Sequence, residues 1–373
     1  MAHVTSLEKV ITLLMLCTLF TGANANDQEA YDWATALTLE SISNLEGGNK
    51  TGTRNLANLD VSLAIDTQSA GWWNNGTVFG YLLGTYGKPP SELTGEFQTL
   101  SNIEAYDNLT LYEVWYQHSF ADGAVKLLAG LHDYNSTFYS LESAGLFTLS
   151  SFGIGPDVAQ VGPSIFPTTA AAIHLTLAHN DQYFLLAAYD GIPGDPAHPR
   201  GTHVVLKKSD GILTAMELGL AQEKNYKFGV GGWETSSEVE SPVDGNLLDE
   251  NRGYYLIGEK YFTENLAAFF QYSRADTHKN QLEVYSGVGV TYSEIWVDDD
   301  SVGIGYAQAK NGSAFLSANP DLLAAENIIE LTYARPLMDK LHLQTSLYYV
   351  ENPSMNPVLD NSVALGIRLY IDL

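Results

Sequence analysis

Residues 361–373 alternate strictly between apolar side chains and small or polar ones. The apolar row consists of Val363, Leu365, Ile367, Leu369, Ile371 and Leu373. Alternation with a period of two is typical of a β-strand that has one apolar face and one polar face. A strand of this kind in the last position is typical of a transmembrane β-barrel, in which the last strand pairs with the first.

The same alternation recurs in segments of about ten residues, a length that suits a tilted strand crossing the outer membrane. Sixteen such segments can be marked, at residues 34–45, 56–66, 77–86, 109–118, 125–134, 169–178, 182–189, 211–220, 226–235, 254–261, 266–275, 282–292, 301–309, 327–334, 341–350 and 361–373. The pattern therefore predicts an all-β fold, a 16-stranded antiparallel transmembrane β-barrel.

The connections between these segments alternate between long and short. Such a barrel has long extracellular loops and short periplasmic turns. The connection at 276–280 is an exception because it is short where a long loop is expected, and 67–75 is longer than a tight turn needs. A soluble β-sandwich or a solenoid has no reason to follow this parity. Sixteen strands would enclose a water-filled channel.

The apolar row identifies the lipid-facing side in some segments. Leu59, Val61 and Leu63 face lipid in the second segment, which leaves Asn58 and Asp60 for the channel. In the segment 254–261 both rows are mixed, and the pattern does not assign its faces.

The longest connection, residues 135–168, is too apolar for a solvated flap. Loops of this length are usually functional. We expect it either to fold into the barrel mouth and narrow it, or to form a lid packed on neighbouring loops. Its candidate constriction residues are Phe138, Phe147, Phe152 and Phe166.

The N-terminal residues resemble an export signal. Lys9 precedes the apolar run 10–20, and Ala23 and Ala25 supply a small-residue cleavage site. The run is too short to span a bilayer. We predict a signal peptide at residues 1–25, followed by a single barrel domain at 26–373. The one cysteine, Cys17, lies inside the signal, with Leu16 before it where a lipoprotein signal would have a small residue.

The charge balance excludes some partners. Acidic residues number 44 against 18 basic ones, for a formal charge of -26. This balance argues against nucleic acid or a bare anionic membrane as a partner. The 22 tyrosines and 33 glycines suit interfacial aromatic girdles and a crowded, twisted sheet.

No sequence pattern indicates a metal, a cofactor or an enzyme. Asp298, Asp299 and Asp300 do not match a calcium-binding loop. The histidines have no recognisable ligand spacing, and no hydrolase, zinc-protease or phosphate-binding motif occurs. We therefore expect no enzymatic activity, no metal site and no cofactor.

Several motifs resemble one family. The run 111–117 reads LYEVWYQ and is followed by FADG at 120–123; further matches lie at 151–156, 160–169, 227–233, 253–260, 298–305, 330–333 and 350–357. Together they resemble the carbohydrate-selective outer-membrane porins, the OprB-like family. There are two departures. The family tends to have a lysine after the AG of the fifth strand, where this chain reads Ala129, Gly130, Leu131 and His132, and the terminal residue is Leu373, where phenylalanine is more usual.

The resemblance implies a sixteen-stranded barrel in the outer membrane of a Gram-negative bacterium that passes sugars by facilitated diffusion. Sugars are then the transported solutes, and outer-membrane lipid and lipopolysaccharide are the surroundings. The barrel would be a monomer or a homotrimer.

A sugar path needs polar groups for hydroxyls and flat apolar surfaces for pyranose faces, with contacts weak enough to release the solute. The candidates on channel-facing rows are Asp60, Glu113, Trp115, Gln117, Lys126, His132, Glu330, His342, Gln344 and Arg368. Glu113 and Trp115 come first because they share a face within the family-like segment. The alternative role for each is simple solvation of the channel wall.

Two other functions remain open on the sequence. A general porin with an acidic channel would prefer cations over sugars. An exported β-rich binding protein would instead form a soluble sheet.

Overall fold

The computed structural model describes residues 30–373, and the predicted signal peptide lies outside them. Sixteen strands close into one barrel in which every strand pairs antiparallel with its neighbours. The predicted fold class is confirmed, and each of the sixteen predicted segments corresponds to a barrel strand. No helix among the described residues is long and apolar enough to cross a membrane.

The strand boundaries mostly extend the predicted ones. The barrel consists of β1 (Tyr31–Glu46), β2 (Gly52–Asp66), β3 (Gly76–Gly87), β4 (Asn108–Phe120), β5 (Val125–His132), β6 (Ala170–His179), β7 (Gln182–Asp190), β8 (Ile212–Gln222), β9 (Tyr226–Thr235), β12 (Asn251–Tyr261), β13 (Leu266–Ala275), β14 (Leu282–Ser293), β15 (Ser301–Asn311), β16 (Ala325–Met338), β17 (Leu341–Glu351) and β18 (Ser362–Asp372). The small hairpin β10 (Val239–Glu240) and β11 (Leu247–Leu248) lies in a loop and was not predicted. Short helical turns occur at Ser91–Thr94, Ser150–Gly153, Pro156–Ala159 and Ser313–Ala318.

The first and last strands close the barrel. Leu369 of β18 pairs with Leu39 of β1, and Arg368 pairs with Glu40. The alternating pattern at the end of the chain therefore has the structural role that it predicts, because its apolar row continues the outer face and its polar row the inner face.

The outer surface is a nearly continuous apolar band. Large apolar side chains are exposed on the outward rows of most strands, among them Leu109, Leu127, Ile173, Met216, Leu218, Val230, Phe270, Val288, Ile304, Leu331, Leu347 and Ile367. So much exposed apolar area is what a lipid environment requires. It excludes the soluble-sheet alternative.

The two ends of the barrel differ in their connections. At one end lie 88–107, 133–169, 191–211, 236–250, 312–324 and 352–361, and at the other lie mostly tight turns such as 121–124, 180–181, 223–225 and 339–340. We call these the long-loop end and the short-turn end. Besides 276–281, the connection 47–51 at the long-loop end is also short, since β1 and β2 extend beyond their predicted limits.

The connection 133–169, here called the inner loop, enters the barrel. β5 ends at His132, earlier than predicted, since the chain turns inward at Asp133. As a result, the part of β4 before Val114 has no β5 partner. Loop 191–211 covers this unpaired part of β4, where the backbone N–H of Leu111 donates to the Thr202 hydroxyl at 2.6 Å.

Aromatic rings of the inner loop pack on the barrel wall. The Phe147 and Phe152 rings lie 5.6 and 5.4 Å from the ring of Phe269 on β13. They fit because the wall beneath them is glycine: a Cβ on Gly305 would lie 2.5 Å from the Phe152 ring. The inner wall from β12 to β17 is therefore covered by protein rather than water. This explains the mixed rows of segment 254–261, in which Tyr255 and Ile257 face inward and are buried.

Candidate functional site

Three inward-facing glutamates hold the inner loop by its backbone. Glu217 on β8 accepts from the N–H of Tyr139 at 2.9 Å. Glu259 on β12 accepts from the N–H of Ser143 at 2.7 Å. Glu330 on β16 accepts from the N–H groups of Thr148 and Leu149, both at 3.0 Å, and from the Thr148 hydroxyl at 2.9 Å. We call Glu217, Glu259 and Glu330 the latch glutamates. Charge-assisted hydrogen bonds of this kind are among the strongest in proteins.

A second loop, 88–107, is held in a similar way. Glu326 accepts from the N–H groups of Phe97 at 2.8 Å and Gln98 at 3.1 Å. Arg368 donates to Glu40 at 3.1 Å and to the side-chain oxygen of Asn102 at 2.8 Å. Two loops thus narrow the open cross-section of the barrel, and both are hydrogen-bonded to carboxylates of the wall.

The inner loop leaves a cavity of about 640 Å³ beside the wall from β3 to β9. We call it the inner cavity. The inner loop contributes only small polar residues to its lining, namely Ser136, Thr137 and Ser140. The wall contributes Phe79, Glu113, Trp115, Gln117, Lys126, Leu128, His132, His174, Thr176, Tyr183, Leu185, Ala221 and Lys227. Lys126 and Lys227 lie near the start of β5 and β9, next to tight turns. The cavity therefore extends to the short-turn end.

An aromatic platform forms one side of the inner cavity. The rings of Phe79 on β3 and Trp115 on β4 stack with centroids 4.8 Å apart and planes 24° apart. The two residues are direct cross-strand partners on the inner face. Flat apolar surface of this kind suits the apolar face of a pyranose ring.

Polar groups line the rest of the inner cavity. The His132 and His174 rings lie 5.6 Å apart, and Nδ1 of His132 is 3.1 Å from the Tyr189 hydroxyl. Nε2 of His174 is buried and has no hydrogen-bond partner among the described residues. Lys227 donates to the carbonyl of Ser140 at 2.7 Å and lies 3.7 Å from Glu217.

A second cavity of about 450 Å³ lies between the two loops. We call it the outer cavity. Its lining includes Phe97, Phe166, Asn102, Glu104 and Asp133. Burial raises the pKa of Asp133 to about 6, and burial together with the charge of Glu96 raises that of Glu104 to about 7. The N–H of Asp133 donates to Glu113 of the inner cavity at 2.9 Å, so the linings of the two cavities are in contact here.

All ten predicted path residues face the barrel interior, as the strand registers show. The structure brings five of them together in the inner cavity: Glu113, Trp115, Gln117, Lys126 and His132. Asp60 lies apart on β2, where its carboxylate accepts from Tyr81 and Asn58. The His342 ring contacts Tyr370, with centroids 6.1 Å apart.

Three of the predicted path residues serve the loops instead of the open cavity. Arg368 is occupied by Glu40 and Asn102, and Gln344 donates to the carbonyl of Leu146 at 2.6 Å. Glu330 is fully buried beneath the inner loop, so a passing solute does not reach it in this structure. The sequence cannot reveal this, because it does not show which part of the wall a loop covers.

The inner loop folds into the barrel, and none of its four candidate phenylalanines lines the inner cavity, although Phe166 lines the outer cavity. Phe138, Phe147 and Phe152 are buried against the wall, and Phe166 contacts the Tyr112 ring with centroids 6.4 Å apart. The buried rings anchor the inner loop to the wall. The opposite side of the loop, which is polar, faces the water. Sequence reasoning also missed Phe79 and Lys227, although both lie on inward rows.

The triple aspartate lies in the turn 294–300. Asp300 is buried and accepts from the N–H groups of Ile295 and Trp296, whereas Asp298 and Asp299 are exposed. Among residues 30–373, no group of three or more His, Cys, Asp or Glu side chains is placed to hold a metal ion.

The inner loop carries a titratable group whose effect on stability can be predicted. Burial raises the pKa of Asp157 to about 7, from an ordinary value of about 3.9. A carboxyl with a raised pKa contributes stability below pH 4 that is lost as the pH rises towards 7. The unsubstituted protein should therefore lose stability as the pH rises, whereas Asp157→Asn should not. The Tm of the variant minus the Tm of the unsubstituted protein should increase by a few degrees from pH 5 to pH 8. Thermal unfolding at both pH values measures this, with exposed Asp298→Asn as the control. An equal Tm difference at the two pH values would contradict it.

Residues 50–373 match the family described as the carbohydrate-selective porins, OprB family. No curated protein matches the sequence. Among solved structures, the high-pH structure of Pseudomonas putida OprB is similar with a TM-score of 0.82 and 16% identity, covering 93% of this chain and 95% of that one. The DcaP channel of Acinetobacter baumannii reaches a TM-score of 0.59 at 8% identity, over 92% and 97% of the two chains.

The Vibrio cholerae outer-membrane protein OmpT, in its trimer form, has a TM-score of 0.58 and 11% identity, over 92% and 99% of the two chains. At these identities the structures establish the barrel fold, and the match to the family over most of the sequence establishes the membership. The chain therefore belongs to the carbohydrate-selective porin family and forms a sugar-selective channel of the Gram-negative outer membrane.

Proposed function

We propose that sugars cross this porin through the inner cavity, with the pyranose face on the Phe79–Trp115 platform and the hydroxyl groups on the polar wall. The observation that carries the proposal is the stack itself, since its centroids lie 4.8 Å apart beside open space. Covering roughly 20–60 Å² of apolar sugar surface at about 25 cal/mol per Å² contributes about 0.5–1.5 kcal/mol. A contact of that size orients a sugar without trapping it.

The rest of the cavity lining supplies exchangeable hydrogen bonds. Gln117, Thr176 and the loop hydroxyls of Ser136 and Thr137 line the same cavity. These groups can replace water on the hydroxyl groups of a sugar as it moves along the barrel axis. Because the solute exchanges one set of weak contacts for another, diffusion through the cavity needs no energy input.

The inner loop supports selectivity by narrowing the barrel. It occupies the interior on the β8 and β12–β17 side, so the solute path lies against the wall that carries the platform. The same wall carries Glu113, whose carboxylate would favour cations if the platform took no part in the passage of solutes.

Trp115→Ala tests the platform directly. In a planar bilayer that contains the reconstituted protein, glucose should block the ion current, and the substitution should raise the half-blocking concentration about two- to tenfold. Trp296→Ala is the matched control, because Trp296 is exposed in a turn outside the cavity. If both variants are blocked like the unsubstituted protein, the platform is not part of the sugar path.

A further inference from the structure

The inner cavity contains a cation without a counterion. Lys126 faces the cavity from β5, and its ammonium group has no ion pair or hydrogen bond with any of the described residues. Only four lysines or arginines among the described residues form an ion pair, and Lys126 differs from the other unpaired ones because it lines the inner cavity. An unpaired, partly buried ammonium suits an anion that arrives with the solute.

The acidic groups that line the inner cavity or lie next to it are already engaged. Besides the N–H of Tyr139, Glu217 accepts from the hydroxyls of Tyr183 and Tyr255, both at 2.7 Å, and it lies 3.7 Å from Lys227. Glu113 is mostly buried and accepts from the N–H of Asp133. Neither carboxylate pairs with Lys126.

A second unpartnered group lies on the adjacent strand. Nε2 of His174 is buried without a hydrogen-bond partner, and the His174 side chain is 4% exposed and lines the cavity. In the sheet, His174 pairs with Leu128, and Thr176 pairs with Lys126. Lys126 and His174 are therefore diagonal neighbours on the inner face, close enough to contact the same small solute.

The platform lies on the other side of β5, on strands β4 and β3. Trp115 pairs with Gly130, four residues from Lys126 on β5, which corresponds to about 13 Å between backbones. The long lysine side chain covers part of this distance. A six-carbon sugar can thus place its ring near Trp115 and an acidic group near Lys126.

We propose that the inner cavity prefers sugars that carry a carboxylate, such as uronates and aldonates, over their neutral parents, with the carboxylate held by Lys126 and His174. The proposal rests on the sugar path described above and specifies its solute class. The ammonium–carboxylate contact is charge-assisted and about twice as strong as a neutral hydrogen bond. The net negative charge of the protein would slow the approach of an anion. Inside the cavity, the ammonium group of Lys126 offsets this repulsion by attracting the carboxylate.

Glucose and glucuronate form a matched pair of probes, because they differ in the oxidation state of one carbon. At a constant ionic strength of about 0.1 M, glucuronate should block the current of the reconstituted protein at about one-tenth of the glucose concentration. Lys126→Gln should remove this difference while leaving the block by glucose in place. Lys126→Arg, which keeps the charge, should retain most of it.

The control variant is Lys208→Gln, because Lys208 is exposed in loop 191–211 and should not affect the ratio. Equal block by the two sugars in the unsubstituted protein would overturn the proposal, as would a preference that survives Lys126→Gln. In both cases the block by glucose would still support the sugar path. If neither sugar blocks the current, the path itself is wrong.

Discussion

Replacing residues 137–160 of the inner loop with a short glycine–serine linker is expected to raise the single-channel conductance severalfold and to abolish the block by sugars. A barrel of sixteen strands encloses a wide aqueous channel when nothing fills it. The inner loop now fills the side of that channel formed by β8 and β12–β17. Its removal would leave sugars without a narrow passage.

The same replacement should make the channel cation-selective. All three latch glutamates lose their loop partners, and their carboxylates become part of a water-filled wall. A ring of acidic side chains favours cations electrostatically. The reversal potential under a salt gradient measures this change. A matched replacement within loop 236–250, which carries the β10–β11 hairpin, should leave conductance and selectivity unchanged. A shortened inner loop with normal sugar block would show that the loop does not set the passage.

Glu330→Ala should release one part of the inner loop while the barrel remains folded. The substitution removes three hydrogen bonds and leaves the N–H groups of Thr148 and Leu149 without their acceptor. Each buried, unsatisfied donor costs about 1–3 kcal/mol, and relief from burying a charge offsets part of this loss. We expect the loop to lose roughly 3 kcal/mol of local stability.

Limited proteolysis of the folded barrel measures this loss. Cleavage of a transiently opened segment follows its open population, so 3 kcal/mol corresponds to about a hundredfold faster cleavage within the inner loop. Current recordings should also become noisier. Glu234→Ala makes the same chemical change on the exposed outer face of β9 and should leave both readouts unaltered. Unchanged cleavage of the Glu330→Ala variant would mean that the latch is not needed.

The alternating pattern predicts the barrel well because the membrane constrains every strand in the same way. Each strand must present an apolar face to lipid, so a row such as Leu365 and Ile367 can be read from the sequence alone. The connections follow a parity that the topology imposes. For this reason the strands were found even where their ends were misplaced, as at His132.

The inner wall is less predictable because the inner loop, rather than water, covers part of it. Tyr255 and Ile257 face inward yet are apolar, since they pack beneath the loop. Glu330 and Glu113 are both glutamates on inward rows, but Glu330 is buried under the inner loop, whereas Glu113 lines the inner cavity. Only the position of the loop distinguishes them, and that position depends on contacts between residues far apart in the sequence. Glycines such as Gly305 mark where large rings approach the wall, but the sequence does not show which ring approaches.

The rate at which solutes enter liposomes that contain the protein tests sugar selectivity most directly. Swelling in isosmotic glucose should be clearly faster than in a neutral non-carbohydrate solute of the same molecular size, and Trp115→Ala should reduce this advantage. That result is expected if the platform and the polar wall of the inner cavity recognise the sugar. Swelling rates that follow molecular size alone, with no advantage for glucose, would contradict the account.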